Sequence, residues 1–321
     1  MNLLECLEKI FYVKTKFDNE KKYKLYNFLG IKFSVRVKYD KNLHKFVKNT
    51  KPKPLKYIDN TIRKKVYVSV VAIFKDEPDI IDWIDYHIKI GVERFYLYDN
   101  DSSEDFQTLL KPYIDSGVVV YQKILGRCMQ RPVYKDAIYR FKDETEWLAI
   151  IDLDEYIVPV EDYDIKDFLK KYEKYSGVVI NWVMFDSNGL KKRPVGKSVI
   201  ETYTRVHKNY QVKKNKTVKS IVKPRDVRFA VSVHVCIYKK GKFAVDENFN
   251  RHVTDVRVST MKNSVNKIRV NHYHCKSEED YMLKISKGFA DRKTLRLFKD
   301  INLNFKDETT NDYVAWKYLD K

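Results

Sequence analysis

The sequence has few of the residues that mark stapled, fibrous or membrane-spanning chains. Among 321 residues there are nine glycines, eight prolines and four cysteines. So little glycine and proline excludes a collagen-like or linker-dominated chain. The cysteines, at positions 6, 128, 236 and 275, are too far apart for a CxxC zinc or redox site. No apolar run approaches the roughly 20 residues of a membrane-spanning helix. We expect a soluble or surface-bound protein from a reducing compartment.

Acidic residues are scarce at the N-terminal end, and this asymmetry locates most of the net charge. The formal charge is +19, from 63 Lys and Arg against 44 Asp and Glu. Residues 1–65 hold 18 basic and 6 acidic side chains, whereas the remaining 256 residues hold 45 and 38. A basic segment of this kind is typical of contact with an anionic membrane, a nucleic acid or an anionic substrate. The alternative is a coding bias toward Lys, Asn, Ile and Tyr, which would explain the total charge but not the asymmetry.

Two amphipathic patterns lie within the basic segment. Apolar residues recur at helical spacing over residues 3–11, which predicts a short helix with one apolar stripe. Glu5 and Glu8 interrupt that stretch, so a secretory signal is not expected. Residues 28–38 alternate apolar and mostly basic side chains, which predicts one strand with a cationic face. Both elements could lie on anionic lipid headgroups or pack against the body of the protein.

The run Lys51-Pro52-Lys53-Pro54 is typical of an extended connector, because each proline biases the preceding residue away from helix. We therefore predict a basic N-terminal segment over residues 1–60 and a main domain over residues 61–290. Residues 291–321 are predicted to form a C-terminal helical tail.

From residue 66 onward, predicted strands and helices alternate. Strands are predicted at residues 66–74, 95–98, 118–124, 147–151 and 178–185, with helices near 80–90, 133–141 and 165–175. Strands separated by helices favour parallel βαβ units with right-handed crossovers. We expect a Rossmann-like α/β fold with a mixed, mainly parallel sheet flanked by helices. Residues 190–270 instead show strand-like pieces at Ser198–Val206, Val218–Val222 and Val231–Tyr238, which predict an added β-rich portion.

Acidic clusters follow two of the predicted strands. Asp99 and Asp101 come after the second strand, and Asp152 and Asp154 come after the fourth. Ligands of open parallel sheets bind beyond the carboxyl ends of the strands, where carboxylates can hold a divalent cation that bridges diphosphate oxygens. Spacing alone is a weak signal, because the chain has 28 Asp and a third Asp-X-Asp triplet at 162–164 that fits a solvated helix cap. The strongly apolar strand before them favours Asp152 and Asp154 as metal or diphosphate ligands.

Five segments, in order along the chain, carry a resemblance to a known family. They are Phe74–His87, Gly91–Ser103, Trp147–Ile157, Asn181–Gly189 and Asn271–Ser277. These segments resemble glycosyltransferase family 92 and bacterial family 2-like glycosyltransferases, including the strand with the DxD element, the tryptophan-phenylalanine-glycine loop and the C-terminal histidine element. The resemblance covers about residues 66–290 and implies the GT-A fold, a Rossmann-like α/β architecture.

The resemblance implies a site for a nucleotide-sugar donor. Asp99 would contact the nucleotide base or the ribose. Asp76 stands where relatives often have Asn, a mild change because both side chains accept hydrogen bonds. Lys219, Lys223 and Arg225 lie in a further segment that resembles the family, and their cations would neutralise the leaving diphosphate. A solvated basic strand edge is the alternative for these three residues.

The resemblance also implies a metal site. Asp152 and Asp154 would face the metal and the diphosphate, and His272 matches the family's histidine and would be a further ligand. His274 would point the same way as His272 if this stretch is extended. A buried histidine with a structural role is the alternative. The expected cofactor is Mn²⁺ or Mg²⁺.

Two acids are candidates for the catalytic base. The inverting transfer implied by the resemblance needs a carboxylate that takes the proton from the attacking hydroxyl. Asp186 stands where the family loop usually has glycine, after a predicted strand, although Ser187-Asn188-Gly189 also fits a turn. Glu155, directly after Asp154, is the rival.

We therefore expect a hexosyltransferase that moves a sugar from a UDP-sugar to a hydroxyl of a glycan or a lipid-linked acceptor. The first 50 residues resemble the leaders of bacterial enzymes of lipopolysaccharide or capsule synthesis. That likeness implies a cytoplasmic protein at the inner face of the membrane. One alternative is a basic nucleic-acid-binding protein, which no recognised binding motif supports. The other is a nucleotidyl or phosphoryl transferase on a similar fold.

Overall fold

The computed structural model describes residues 11–18, 21–28, 31–36, 63–252, 259–260, 262–287 and 308–319. The chain divides into two units, Met1–Lys53 and Pro54–Lys321. Within the described residues, every helix is too short or too polar to cross a lipid bilayer.

The described part of the first unit is an antiparallel meander of three strands. These are β1 (Phe11–Asp18), β2 (Lys21–Phe28) and β3 (Ile31–Arg36). Phe28 pairs with Ile31, so the prediction of one strand over residues 28–38 is wrong: that segment holds the end of β2 and all of β3. The helix expected over residues 3–11 lies outside the described residues except for Phe11, which begins β1.

Four parallel strands form the first half of the sheet in the second unit. They are β4 (Val66–Phe74), β5 (Arg94–Asn100), β6 (Val119–Ile124) and β7 (Thr145–Ile150). In β4, Val68 and Val70 belong to one hydrophobic cluster, whereas Val71 and Ile73 belong to another. A strand that is buried on both faces needs apolar residues at successive positions, which is why β4 reads as one continuous apolar run.

Helices cover both faces of these strands. In chain order they are α1 (Ile80–Lys89), α2 (Phe106–Leu109), α3 (Lys111–Asp115), α4 (Gln130–Arg140) and α5 (Ile165–Lys170). Trp83 of α1 packs in the first cluster and Val133 of α4 in the second. Gly91 follows α1 with a φ of 103°, and a Cβ there would overlap the carboxylate of Asp164, so only glycine fits.

The second half of the sheet mixes strand directions. Its strands are β8 (Glu155–Pro159), β9 (Gly177–Met184), β11 (Val218–Val222), β14 (Ala244–Val245), β15 (Arg251–His252) and β16 (Ile268–His272). The short helix α6 (Val199–Thr202) and the strands β10 (Arg205–His207), β12 (Val227–Ala230) and β13 (Cys236–Tyr238) lie outside this sheet. The order is β15–β14–β9–β11–β7–β4–β5–β6, with β16 paired to β8 and β9. Strand β11 is antiparallel to both β7 and β9. The predicted α/β fold with a mixed, mainly parallel sheet flanked by helices is confirmed.

Part of the predicted β-rich portion is wrong. Residues 198–206 hold helix α6, because Ser198 and Glu201 form a reciprocal capping box at its first turn. Strand β11 lies inside the main sheet, and residues 231–238 contribute only β13 to a hairpin with β12.

The C-terminal region also differs from the predicted helical tail. Helix α7 (Glu278–Lys287) is followed, after residues outside the described set, by strand β17 (Thr309–Asn311), which pairs with β10. Residues 314–318 form a 3₁₀ turn whose Tyr318 is buried in the first hydrophobic cluster. The described end of the chain is therefore part of the core.

Candidate active site

The triplet of Asp152, Leu153 and Asp154 lies in the short connection between β7 and β8, at the carboxyl edge of the parallel strands. Leu153 is buried in the core, which turns the two carboxylates away from it. The exposed fraction of the side chain is 30% for Asp152 and 16% for Asp154. Both line a cavity of about 310 Å³. This is the crevice in which open α/β sheets bind ligands.

Asp152 is held by three groups of the protein. Its Oδ2 lies 2.8 Å from Nζ of Lys219, and its Oδ1 accepts hydrogen bonds from the Tyr134 hydroxyl (2.8 Å) and Gln130 Nε2 (2.5 Å). Burial would raise the pKa of Asp152, but the charge of Lys219 outweighs it and lowers that pKa. Asp152 is therefore an ionised carboxylate with its oxygens already engaged.

Lys219 and Glu155 form a buried pair beneath Asp152. Both side chains are 0% exposed, and Nζ of Lys219 lies 3.1 Å from Oε2 of Glu155, which also accepts from the Asp152 backbone N–H at 2.8 Å. Burial raises the pKa of Glu155 well above its usual range despite Lys219. Glu155 does not line the cavity among the described residues. Its geometry supports Lys219 and Asp152 and does not fit the predicted role of catalytic base.

Asp154 lies beside two histidines of the C-terminal element. His272, the last residue of β16, pairs with Glu155 across the sheet, and its Nε2 lies 3.4 Å from Oδ2 of Asp154. Ligand atoms of Asp154, His272 and His274 all lie within 4.8 Å of one another. Nζ of Lys284, from α7, also contacts Oδ2 of Asp154. Burial opposes ionisation of Asp154, but Lys284 and His272 hold its pKa well below its usual range.

The cluster of Asp154, His272 and His274 fits a divalent metal. Nδ1 of His272 is buried and has no hydrogen-bond partner among the described residues, and burial lowers the pKa of this ring, which favours the neutral form that ligates metals. Two imidazoles with one carboxylate suit Mn²⁺ better than Mg²⁺, which prefers oxygen ligands. Asp152, which is engaged by Lys219, stands outside this cluster.

Four lysines give the cavity a cationic wall. They are Lys75, Lys276, Lys284 and Lys287. Lys276 is paired with the buried carboxylate of Asp79, which also binds Arg193. Nζ of Lys287 lies 2.5 Å from the Asp76 carbonyl oxygen and 3.3 Å from Oε1 of Glu77. Ammonium groups held in this way can bind phosphate oxygens.

Asp76 and Asp99 fasten the two loops that follow β4 and β5. Oδ1 of Asp76 accepts from Ser103 N (2.7 Å) and Oγ (2.9 Å), while Asp76 itself has a φ of 49°. Asp99 is 0% exposed and accepts from Ser102 N at 2.8 Å and the Tyr121 hydroxyl at 2.5 Å. Neither carboxylate is among the described residues that line the cavity. Their hydrogen bonds identify them as loop supports, and the predicted contact with a nucleotide stays a prediction.

Asp186 lies in an ion pair away from the cavity wall. Nε of Arg205 contacts its two carboxylate oxygens at 2.9 and 2.8 Å, and Asn188 N donates to Oδ1 at 2.8 Å. The side chain is 0% exposed. A carboxylate engaged by a guanidinium and a turn amide is a turn residue, so the structure does not support Asp186 as the base.

Lys223 and Arg225 lie at the opposite end of the strands from Lys219. Because β11 is antiparallel to β7, the chain runs from the carboxyl end of β7 back toward its beginning. Nζ of Lys223 lies 5.0 Å from the ring centroid of Trp147, and Arg225 binds Asp143 at 3.1 Å. Of the three predicted diphosphate-binding cations, the structure brings only Lys219 to the edge that carries Asp152.

Sequence reasoning missed Lys284, Lys276 and the residues that hold Asp152, namely Gln130 and Tyr134. Lys284 stands one turn before Lys287 on α7, so the two could have been assigned to one helix face. With 63 basic residues in the chain, composition alone could not single them out.

Known proteins share sequence with most of this chain. The model of glycosyltransferase family 92 matches residues 64–300. A family 92 protein of Oryza sativa subsp. japonica is 27% identical over 125 residues, which cover 38% of this chain and 21% of that protein. The galactan beta-1,4-galactosyltransferase of Arabidopsis thaliana is 25% identical over 210 residues, which cover 60% of this chain and 37% of that protein. This chain thus spans well under half the length of either relative.

The crystal structure of S. aureus TarS 1–349 superposes with a TM-score of 0.36 and 14% identity, covering 68% of this chain and 63% of that one.

Proposed function

Because this chain belongs to glycosyltransferase family 92, we propose that it transfers a sugar from a UDP-sugar to a hydroxyl of a glycan or a lipid-linked acceptor. The observation that carries the proposal is the cluster of Asp154, His272 and His274 in the wall of the 310 Å³ cavity. A metal-ligand cluster that faces a lysine-lined cavity suits the diphosphate joining nucleotide and sugar.

The chemistry requires positive charge where the diphosphate departs. As the bond to the anomeric carbon breaks, negative charge builds on the leaving oxygen. Asp154, His272 and His274 would hold a divalent metal, which would supply electrostatic stabilisation of that charge. Lys276 and Lys287 are held by carboxylates before any donor arrives, so their ammonium groups add to this stabilisation with little reorganisation.

The acceptor side needs a base, because an inverting displacement leaves the attacking hydroxyl with a proton to lose. Apart from Asp152 and Asp154, the carboxylates among the described lining residues are Glu77 and Asp280. Oδ2 of Asp280 accepts from Ser277 Oγ at 2.8 Å, whereas Oε1 of Glu77 lies 3.3 Å from Lys287. These two residues replace Asp186 and Glu155 as candidates for the base.

A donor screen tests the proposal. UDP release is measured for a panel of UDP-sugars with Mn²⁺, with and without acceptor. Because the relative from Arabidopsis is a galactan galactosyltransferase, UDP-galactose is the first donor to test and galactan the first acceptor. Lipopolysaccharide and capsule oligosaccharides are tested as acceptors in parallel. We expect one donor to release UDP, at a rate that rises with acceptor. Pyrophosphate release would instead favour a nucleotidyl transferase, and no release from any pair would overturn the proposal.

Attachment to the inner face of the cytoplasmic membrane is a separate proposal. It rests on the 18 basic and 6 acidic side chains of residues 1–65. Such a segment is attracted to anionic headgroups. The full chain should sediment with anionic vesicles and stay in the supernatant with neutral ones, and equal behaviour with both would contradict the attachment.

A further inference from the structure

We propose that Lys284 is a tethered cation that occupies the metal position while no metal is bound, so that metal binding must displace it. The inference rests on the metal site of the proposed function. Nζ of Lys284 contacts Oδ2 of Asp154 and lies 3.2 Å from Nδ1 of His274 and 2.8 Å from the carbonyl oxygen of His274.

The contacts of Lys284 engage two of the three residues that a metal would use. An ammonium has three N–H donors, and here the described residues offer it three acceptors. Two of those acceptors lie on Asp154 and His274, and both residues belong to the cluster whose ligand atoms lie within 4.8 Å of one another. A carboxylate oxygen and an imidazole nitrogen that accept from Lys284 are not free for a second cation. Lysine and metal are therefore alternative occupants of one position.

The other carboxylate of the triplet, Asp152, is paired with a lysine that is fixed in place. Lys219, on Asp152, is 0% exposed and fixed on its other side by Glu155. The Lys284 side chain is 23% exposed and lines the cavity from α7. Its four rotatable bonds allow the ammonium to leave Asp154 for the cavity. The two carboxylates of the triplet are thus paired with one fixed cation, Lys219, and one exchangeable cation, Lys284.

This arrangement has two consequences. Without metal, Lys284 neutralises Asp154, so no carboxylate is left buried and unpaired. The apparent metal affinity is reduced by the fraction of molecules in which the position is open. Removal of the ammonium should therefore tighten metal binding and destabilise the metal-free protein.

The test measures binding of Mn²⁺ alone, by calorimetry, to the full-length wild type and to Lys284→Met and Lys284→Arg. We expect Lys284→Met to lower the Kd at least about tenfold, and Lys284→Arg, which keeps the charge, to stay close to wild type. Lys287→Met is the matched control. It lies one turn later on α7, contacts Asp76 and Glu77 instead of Asp154, and should change the Kd by less than about twofold.

Thermal unfolding gives a second readout. In the absence of metal, Lys284→Met should unfold at a lower temperature than wild type. Added Mn²⁺ should raise the melting temperature of Lys284→Met by more than it raises that of wild type. If Lys284→Met does not fold, Lys284→Gln, which retains a hydrogen-bond donor without the charge, takes its place. An unchanged or weaker affinity, an equal tightening in Lys287→Met, or no binding to either protein overturns the proposal. No sugar donor is used, so failed UDP release with a tightened Kd would overturn only the proposed function.

Discussion

The triplets Asp152–Asp154 and Asp162–Asp164 share one sequence pattern and lie in different parts of the fold. The first follows the buried strand β7, where Lys219, Lys284 and two histidines surround its carboxylates. In the second, Asp162 binds Lys171 at 2.8 Å and Asp164 caps α5 by accepting from Lys166 N at 2.7 Å. The carboxylates of the second triplet are therefore paired with a surface lysine and with a backbone N–H at the start of a helix.

The difference lies in access of water to the compensating charges. Lys219 is 0% exposed, whereas Lys171 is 48% exposed. In water an unpaired carboxylate is solvated, but in the interior it must be paired at once with a cation or a metal. The two triplets therefore differ in the burial of the lysines that pair with them, because the carboxylates themselves are similarly exposed, 30% and 16% in the first and 18% and 31% in the second.

The largest expected effect separates the triplets by activity. Asp154→Asn should lower the rate of UDP release at least about a thousandfold, because it removes a metal ligand and the charge that orients the site. Asp164→Asn should stay within about twofold of wild type, because Asn also caps helices. Initial rates with the donor from the screen check this, with circular dichroism confirming that both variants fold. Equal losses in the two variants would contradict the distinction.

Lys219, the fixed cation beside Asp152, should contribute to the free energy of unfolding. Lys219→Met takes the counter-ion from Asp152 and a fully buried hydrogen-bond donor from Glu155, so the free energy of unfolding should fall by about 3 kcal/mol. Guanidinium denaturation at neutral pH measures the change. A loss below about 1 kcal/mol would mean that water reaches this pair and that the buried character assigned to the triplet is wrong.

Asp79 extends the comparison to pH. Burial would raise its pKa, but Lys276 and Arg193 outweigh burial and lower it. A carboxyl whose pKa is depressed in the folded state stabilises the fold above its unfolded pKa of about 3.9, and this stabilisation is lost as pH falls through the folded pKa. The unfolding free energy of wild type should exceed that of Asp79→Asn at neutral pH, and the gap should narrow below about pH 4. A gap that is constant with pH would contradict the depressed pKa.

The smallest effect is expected at the surface. Lys171→Met removes a partner of Asp162 that is 48% exposed, and an ion pair whose cation is this exposed contributes little, so the free energy of unfolding should change by no more than about 0.5 kcal/mol. The same guanidinium denaturation checks it. A loss as large as that of Lys219→Met would show that exposure does not separate the two triplets.

Local pattern predicted much of the fold. The continuous apolar runs of β4 and β7 report burial on both faces, and proline followed by helical spacing marks α1. The same reasoning failed at residues 198–206, where β-branched residues favoured a strand while the pair Ser198 and Glu201 already carried the signal of a capped helix. Propensity is a weak signal beside a cap that satisfies two backbone donors.

The site was predictable only in part. The structure places Asp154, His272 and His274 together, because β16 returns beside β8, a pairing between residues more than a hundred positions apart. Lys223 lies away from Asp152 because strand direction, which the sequence does not state, carries it to the other end of the strands.

By itself the sequence determined which segments are buried strands, which residue types carry charge and which family the chain belongs to, since these depend on local order and composition. Only the tertiary fold places a particular lysine beside a particular carboxylate. It pairs Asp186 with Arg205 and brings Lys284 into contact with Asp154. The physical reason is that ion pairs and ligand clusters depend on distances of a few ångströms between side chains, and those distances are set by strand order and direction.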